Sequence, residues 1–252
     1  MITSPPLNTT SVSSVGFFDF FRTGEAAQLK RHSKRLVNLN AQKEDRTASA
    51  YWLAENASEE SIIGLLNRFN MTYEHRMKDS EEKQLVYDLL LGIGPVVTQP
   101  VRQWVRKNPS FAFPLRLIDH FEGPDAAVEV LLDMLGREVD PFKPEKKRQI
   151  LIRLAEYRDE RIIERVPACL EDFDGDIRYA AAEALIAQET DAVRDDLAKA
   201  LANRNEESNR LRDRIAAVFE QRSWSLGEHT EAVTDNPPYG WAVNGERVIR
   251  DA

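Results

Sequence analysis

The chain has 252 residues, of which 42 are acidic and 34 basic, so its net charge is −8. This balance disfavours a general nucleic-acid binder, because phosphate contacts need a surplus of Lys and Arg on one face. The 42% share of hydrophobic residues argues against disorder of the whole chain. A single cysteine excludes an internal disulfide. No apolar run approaches the length of a membrane span, about 18 residues, and no secretory signal pattern is present, so we expect a cytoplasmic protein.

Residues 1–23 differ in composition from the rest of the chain. Residues 1–14 are rich in Ser, Thr and Pro and are predicted to be disordered. The segment that starts at Val15 is similar to the Met-Gly-Phe-Phe-Asp-Phe-Phe start of many bacterial proteins, so we expect the natural protein to begin there. Its aromatic residues are predicted either to cap the first hairpin, since rings gain free energy on burial, or to dock on a protein partner or a membrane surface. They are Phe17, Phe18, Phe20 and Phe21.

The segment from Gly24 to Leu39 is predicted to be a basic helix. Lys30, Arg31, Lys34 and Arg35 alternate there with apolar residues. This is the pattern of an ordinary first helix of a helical array. Combined with the preceding phenylalanines, it is also the pattern of a helix that lies on a membrane surface.

One segment, from Asp174 to Leu185, has the pattern D-x-x-I-R-x-x-A-A-x-A-L. Asp174 is predicted to cap a helix, and Leu185 to face the core. The small alanines let a neighbouring helix approach closely, and Arg178 lies where an Asp of the same or a neighbouring repeat can bind it. We therefore expect Arg178, and Arg212 in the corresponding position, to form ion pairs between repeats.

Basic residues recur at a spacing typical of helical repeats, roughly 30 to 40 residues. The positions equivalent to Arg178 are Arg46, Lys83, Lys147 and Arg212, and the wide step between Lys83 and Lys147 divides around Phe111. This spacing predicts about six helical hairpins over residues 42–233.

The second helix of most hairpins shows its own apolar stripe at helical spacing. The stripes are Ile62, Leu65, Leu66 and Phe69; Val97, Val101 and Trp104; Ala127, Val130, Leu131 and Met134; Ile162, Ile163, Val166 and Leu170; and Val193, Leu197 and Leu201. No segment alternates strictly between apolar and polar residues over a long range, so a sheet-based fold is not expected.

The repeated pattern resembles the first helix of a HEAT repeat, and residues 24–235 resemble a small bacterial HEAT-repeat protein. The resemblance implies an all-α fold, a right-handed α-solenoid of about six HEAT-like hairpins, and a binding surface. HEAT-like iron hydroxylases use His-Glu pairs, and this chain has no His-Glu dipeptide. HEAT-like DNA glycosylases need a basic groove, and nothing in the sequence identifies the tetrapyrrole site of a phycobilin lyase.

Residues 236–252 are predicted to form a tail with a β-hairpin. Asn236-Pro237-Pro238 ends the helices, and Asn244-Gly245 lies between two apolar runs, which is a strong signal for a tight hairpin turn. We expect Tyr239 and Trp241 to cover the last repeat as a cap. The alternative is a strand that pairs with a partner's sheet.

The sequence indicates no catalytic, cofactor-binding or metal-binding residues. The four histidines are far apart and lack the spacing of a metal site. Cys169 is expected to be a buried apolar residue. The acidic run from Glu171 to Asp176 lacks the calcium-loop spacing and is better explained by helix capping.

The leading functional hypothesis is a non-catalytic scaffold that binds a protein partner through the surface of its helical repeats. The runner-up is a peripheral membrane or complex adaptor that uses the Phe-rich start and the basic helix. A third hypothesis is a HEAT-like lyase or DNA-repair enzyme. The sequence identifies neither the partner nor the oligomeric state.

Overall fold

A computed structural model describes the backbone of residues 15–138 and 144–251, and the side chains of residues 24–138 and 144–251. The described chain is mostly helical, with thirteen α-helices and one small antiparallel sheet. It divides into two compact units, Met1–Leu117 (unit 1) and Ile118–Ala252 (unit 2). The division falls inside the sixth helix.

Unit 1 begins with one long helix, which two helical pairs follow. Its elements are α1 (Val15–Leu36), α2 (Lys43–Asn56), α3 (Glu59–Leu66) with the 3-10 helix Asn67–Asn70, α4 (Arg76–Ile93), the 3-10 helix Pro95–Val97, α5 (Thr98–Lys107) and the first half of α6 (Ala112–Glu122). Within this unit α2 packs on α4 and α3 packs on α5, while α1 contacts both α2 and α3. Gly64 permits the last contact, because a Cβ at this position would lie 2.5 Å from the Ser33 hydroxyl oxygen.

Unit 2 continues the succession of helical pairs and ends in the sheet. Its elements are the second half of α6, α7 (Pro124–Arg137), α8 (Pro144–Leu154), α9 (Glu160–Arg165) with the 3-10 helix Pro167–Glu171, α10 (Gly175–Ile186), the 3-10 helix Asp191–Val193, α11 (Arg194–Ala202), α12 (Asn209–Arg222), the 3-10 helix Gly227–His229, α13 (Thr230–Asp235), β1 (Trp241–Asn244) and β2 (Arg247–Arg250).

Equivalent helices of successive pairs lie against each other in unit 2. The first helices α8, α10 and α12 contact one another in turn, and so do the 3-10 helix Pro167–Glu171, α11 and α13. Close packing around α10 is possible because its alanines are small and buried, with exposed fractions of 5% or less at Ala180, Ala181, Ala182 and Ala184. At the start of this helix Asp174 accepts hydrogen bonds from the N–H groups of Asp176 and Ile177, at 2.8 and 3.1 Å. The predicted cap is present.

The apolar stripes predicted for the second helices form much of the core. All of their members are buried except Ile163, which is partly exposed. Twelve α-helices follow one another from α2 to α13 in the described residues. The structure therefore establishes that the protein is mostly helical and has a small C-terminal sheet.

The N-terminal helix differs from the prediction in its bounds. It spans Val15–Leu36, whereas the sequence placed it from Gly24 to Leu39. The side chains of Phe17, Phe18, Phe20 and Phe21, and the whole of residues 1–14, lie outside the described residues. In the part of the chain that is described, no helix has the length and apolar character needed to cross a membrane.

The C-terminal hairpin forms where it was predicted, but its turn is shifted by one residue. Asn244 pairs with Arg247, so the two turn residues are Gly245 and Glu246. Gly245 has a φ of +61°, and glycine at the first turn position is the choice that lets this backbone form without a Cβ clash.

Trp241 and Tyr239 have opposite environments. Trp241 is buried and its indole N–H donates to Asp213 at 2.9 Å, so this ring covers α12 as expected. The expectation that Tyr239 also covers the last repeat is wrong, because its side chain is 92% exposed. The reason is that Tyr239 precedes the strand pair, in the connection after Pro238, whereas β2 is the strand that packs on α12.

The packing of α10 predicts the effect of truncating Leu185, a core residue near the end of this helix. Leu185 is fully buried, so Leu185→Ala should leave a cavity and lower the free energy of unfolding by about 2–5 kcal/mol. Ile152, which is 45% exposed, supplies the control, since Ile152→Ala should cost less than about 1 kcal/mol. Denaturant unfolding of both variants measures the difference. Equal losses would show that Leu185 does not lie in the core.

Candidate functional site

A groove with a volume of about 830 Å³ lies in unit 2. The 3-10 helix Pro167–Glu171 forms one side and α11 the other. The connection between α11 and α12 closes one end, together with His229. We call it the main groove. Its charged lining residues are Glu171, Asp172, Arg178, Asp196, Lys199 and Glu206.

A second groove of about 590 Å³ lies on the other side of the same 3-10 helix. The C-terminal end of α7 and the start of α8 form its far wall, and Cys169 is in its lining. Cys169 is buried, as the sequence predicts, and burial raises the pKa of its thiol. We call this second groove the side groove. Asp172 and Phe173 line both grooves and therefore form a ridge between them, the Phe173 ridge.

The ridge carries an apolar ring in contact with solvent. The Phe173 side chain is 92% exposed. An isolated exposed apolar residue is common on a protein surface, but this one lies between two grooves. Phe173 is the only aromatic residue in the acidic run from Glu171 to Asp176, and this feature of the sequence could have identified it.

Arg178 holds the backbone of the ridge in place. Its guanidinium donates to the carbonyl oxygens of Asp172 and Phe173, at 2.9 and 3.0 Å. The Asp172 carboxylate accepts from the Asp174 N–H at 2.9 Å and from Lys147 Nζ at 2.5 Å. The backbone of the Phe173 ridge is therefore fixed on both sides, while the ring itself is free.

The same guanidinium forms the strongest ion pair of the site. Arg178 donates to the two carboxylate oxygens of Glu206 at 2.6 and 2.7 Å. The Glu206 side chain is only 2% exposed. Burial works against ionisation of this carboxyl, but the hydrogen bonds from Arg178 and the Ser208 N–H outweigh it, so its pKa is below the ordinary value. Arg178 thus forms an ion pair with the connection that leads to α12, and its partner is a Glu where the sequence predicted an Asp.

The remaining charge in the main groove is negative. The cations that line it, Arg178 and Lys199, bind Glu206 and Glu171, with Lys199 and Glu171 2.7 Å apart. Asp196 has no such strong partner among these cations, and its pKa is raised by burial and by the neighbouring Asp195. At the rim, Asp195 lies 3.4 Å from His229 Nε2.

Asp195, Glu228 and His229 offer ligand atoms within 4.8 Å of one another. The sequence gave no indication of this cluster, because Asp195 is far along the chain from the other two. Both carboxylates are well exposed, at 74% and 82%. We assign no metal to the cluster, since solvated surface carboxylates of this kind need none.

The other predicted repeat positions also lie in ion pairs, with one exception. Arg46 donates to Glu82 at 2.5 and 3.3 Å, Lys83 lies 2.7 Å from Asp79, and Lys147 binds Asp172. Arg212 does not form the expected ion pair within the described residues; it donates to the Asn236 carbonyl, and burial lowers its pKa. The reason is that the segment opposite Arg212 is the connection to the sheet, which presents a backbone oxygen there.

Sequence reasoning missed Arg68, the most deeply buried charge in unit 1. Its side chain is 0% exposed and binds Asp79 at 2.8 Å and Glu82 at 3.2 Å. Its position inside the apolar stripe, between Leu66 and Phe69, was the available signal. An arginine inside an apolar stripe must be buried together with carboxylates that pair with it, because an unpaired buried charge would disrupt the helix packing.

Removing one member of the Arg178–Glu206 pair should destabilise the protein strongly. Arg178→Ala leaves the buried Glu206 carboxylate without its partner, so we expect a loss of about 3–5 kcal/mol near neutral pH. Glu171→Gln is the control, because Glu171 and Lys199 are 67% and 65% exposed, and an exposed ion pair contributes little to stability. Denaturant unfolding measures both.

The pH dependence of the same pair has a definite sign. The pKa of Glu206 is lower in the folded chain than its ordinary value of 4.5. The contribution of the Glu206 carboxylate to the free energy of unfolding is therefore fully present above that ordinary pKa. It is lost as the pH falls through the lower pKa that the group has in the folded chain. The stability advantage of the wild type over Glu206→Gln should shrink on acidification below about pH 4.5. An advantage that grows on acidification would contradict the assignment.

Comparisons of this chain with protein-family models, with curated proteins and with solved structures give no match. The functional interpretation therefore depends on the two grooves and the ridge between them.

Proposed function

We propose that the protein is a non-catalytic scaffold that binds an extended segment of a protein partner in the main groove of unit 2. The observation that carries this proposal is the Phe173 ridge, a fixed backbone that presents one exposed ring between two grooves. Exposed aromatic residues on a preorganised backbone are typical anchors of protein interfaces, because little freedom remains to be lost on binding.

The stacking of helices in unit 2 supports the same proposal. Successive second elements, from the 3-10 helix Pro167–Glu171 through α11 to α13, lie side by side and form a continuous wall. Stacked helical pairs of this kind present extended surfaces to elongated partners. The proposal includes a HEAT-like arrangement, a right-handed α-solenoid, for the succession of hairpins.

The chemistry that lines the main groove favours recognition. It consists of ion pairs that hold the fold, the amides of Asn203 and Asn205, short apolar side chains and the exposed ring. The one histidine in the lining, His229, is next to the carboxylate of Asp195 at the rim. These groups can orient a bound chain by hydrogen bonds and apolar contact.

Site-specific photocrosslinking in cells tests the proposal. Ala168 is exposed and lines both grooves, so a photoreactive amino acid at this position should give a discrete protein adduct on irradiation. Gln221, exposed on α12 and outside both grooves, is the matched control. We expect the adduct at Ala168 and none at Gln221. Equal labelling at the two positions, or no adduct at Ala168, would contradict a docking groove.

A further inference from the structure

We infer that the main groove binds a cationic peptide segment, in which an arginine or lysine follows or precedes an apolar residue, and that Phe173 is the anchor for this segment. The inference rests on the proposed function, because it names the chemical class of the partner for the same groove. It depends on three features of unit 2: the exposed ring on its fixed backbone, the charge of the lining, and the combination of the ring with nearby carboxylates.

The first feature is the ring. Phe173 is 92% exposed although its own carbonyl oxygen and that of Asp172 accept hydrogen bonds from Arg178. Its position is therefore set before a partner arrives, and the apolar surface is available for contact. An apolar side chain of the partner can cover this ring and Ala168, which lies exposed in the same lining.

The second feature is the charge. Four carboxylates and two cations line the main groove. The two cations bind Glu171 and Glu206, and Lys147 of the side groove binds Asp172. Asp196 remains, and Asp195 and Glu228 lie beside His229 at the rim. The groove therefore has a negative surplus that a basic segment would neutralise, whereas a phosphate backbone or an acidic peptide would be repelled.

The third feature is the combination of a ring with nearby carboxylates. A guanidinium or ammonium group is attracted to the face of an aromatic ring, and its N–H donors reach carboxylates as well. The chain itself contains such a contact in unit 2, where the Arg210 guanidinium lies 3.7 Å from the Tyr179 ring centre. A basic residue of the partner placed over Phe173 would make the same contact.

Selection from a phage-displayed library of random 12-residue peptides tests the inference on the full chain. The wild type should enrich peptides with Arg or Lys beside an apolar residue. Phe173→Ala should lose at least tenfold in enrichment with an unchanged melting temperature, because the removed ring is exposed. Tyr239→Ala is the matched control, since Tyr239 is also 92% exposed but lines neither groove, and it should enrich the same peptides as the wild type. The double variant Asp195→Asn/Asp196→Asn should still enrich apolar peptides but lose the basic preference.

The outcomes separate the inference from the proposed function. Enrichment of acidic or uncharged peptides, or full enrichment by Phe173→Ala, would overturn the inference and leave a docking groove in place. A concentration-dependent dimer that Phe173→Ala abolishes would assign the groove to a second copy of the chain and would also overturn the inference. No enrichment by any variant, together with no photocrosslink at Ala168, would overturn both.

Discussion

A buried charge must have a partner, and this constraint ties one helical pair to the next inside each unit. In unit 1 Arg46 of α2 binds Glu82 of α4, and in unit 2 Arg178 of α10 binds Glu206, in the connection that leads to α12. Apolar contacts are non-directional, whereas a two-point bond between guanidinium and carboxylate has one geometry. The ion pairs therefore set the register in which consecutive pairs of helices pack.

The same constraint positions the surface that we assign to function. The Arg178 guanidinium donates hydrogen bonds to Glu206 and, through its other N–H groups, to the two backbone carbonyl oxygens of the ridge. A structural ion pair thus fixes the backbone that presents Phe173 to solvent. Stability and recognition are linked here, since any change that releases the guanidinium also releases the ridge.

At Arg212 the kind of partner changes, and in the described residues the two-stranded sheet follows the last helix. The Arg212 guanidinium binds a backbone carbonyl, and the sheet then covers α12 with the Trp241 ring and the Trp241 bond to Asp213. A carbonyl is a weaker partner for a buried cation than a carboxylate, which is why burial lowers the pKa of Arg212.

The sequence by itself determined the local features of this protein. The helical pairs, their apolar stripes, the Asp174 cap and the position of the hairpin follow from periodicity and turn chemistry within a few residues. It also identified the residue types that anchor the repeats, but it left open which carboxylate Arg178 would bind. The tertiary structure decided that Glu206 is the partner, that Tyr239 faces solvent, and that Phe173 lies on a ridge between two grooves. These outcomes depend on contacts between residues that are distant in sequence. A local sequence pattern does not specify which of these distant residues come into contact.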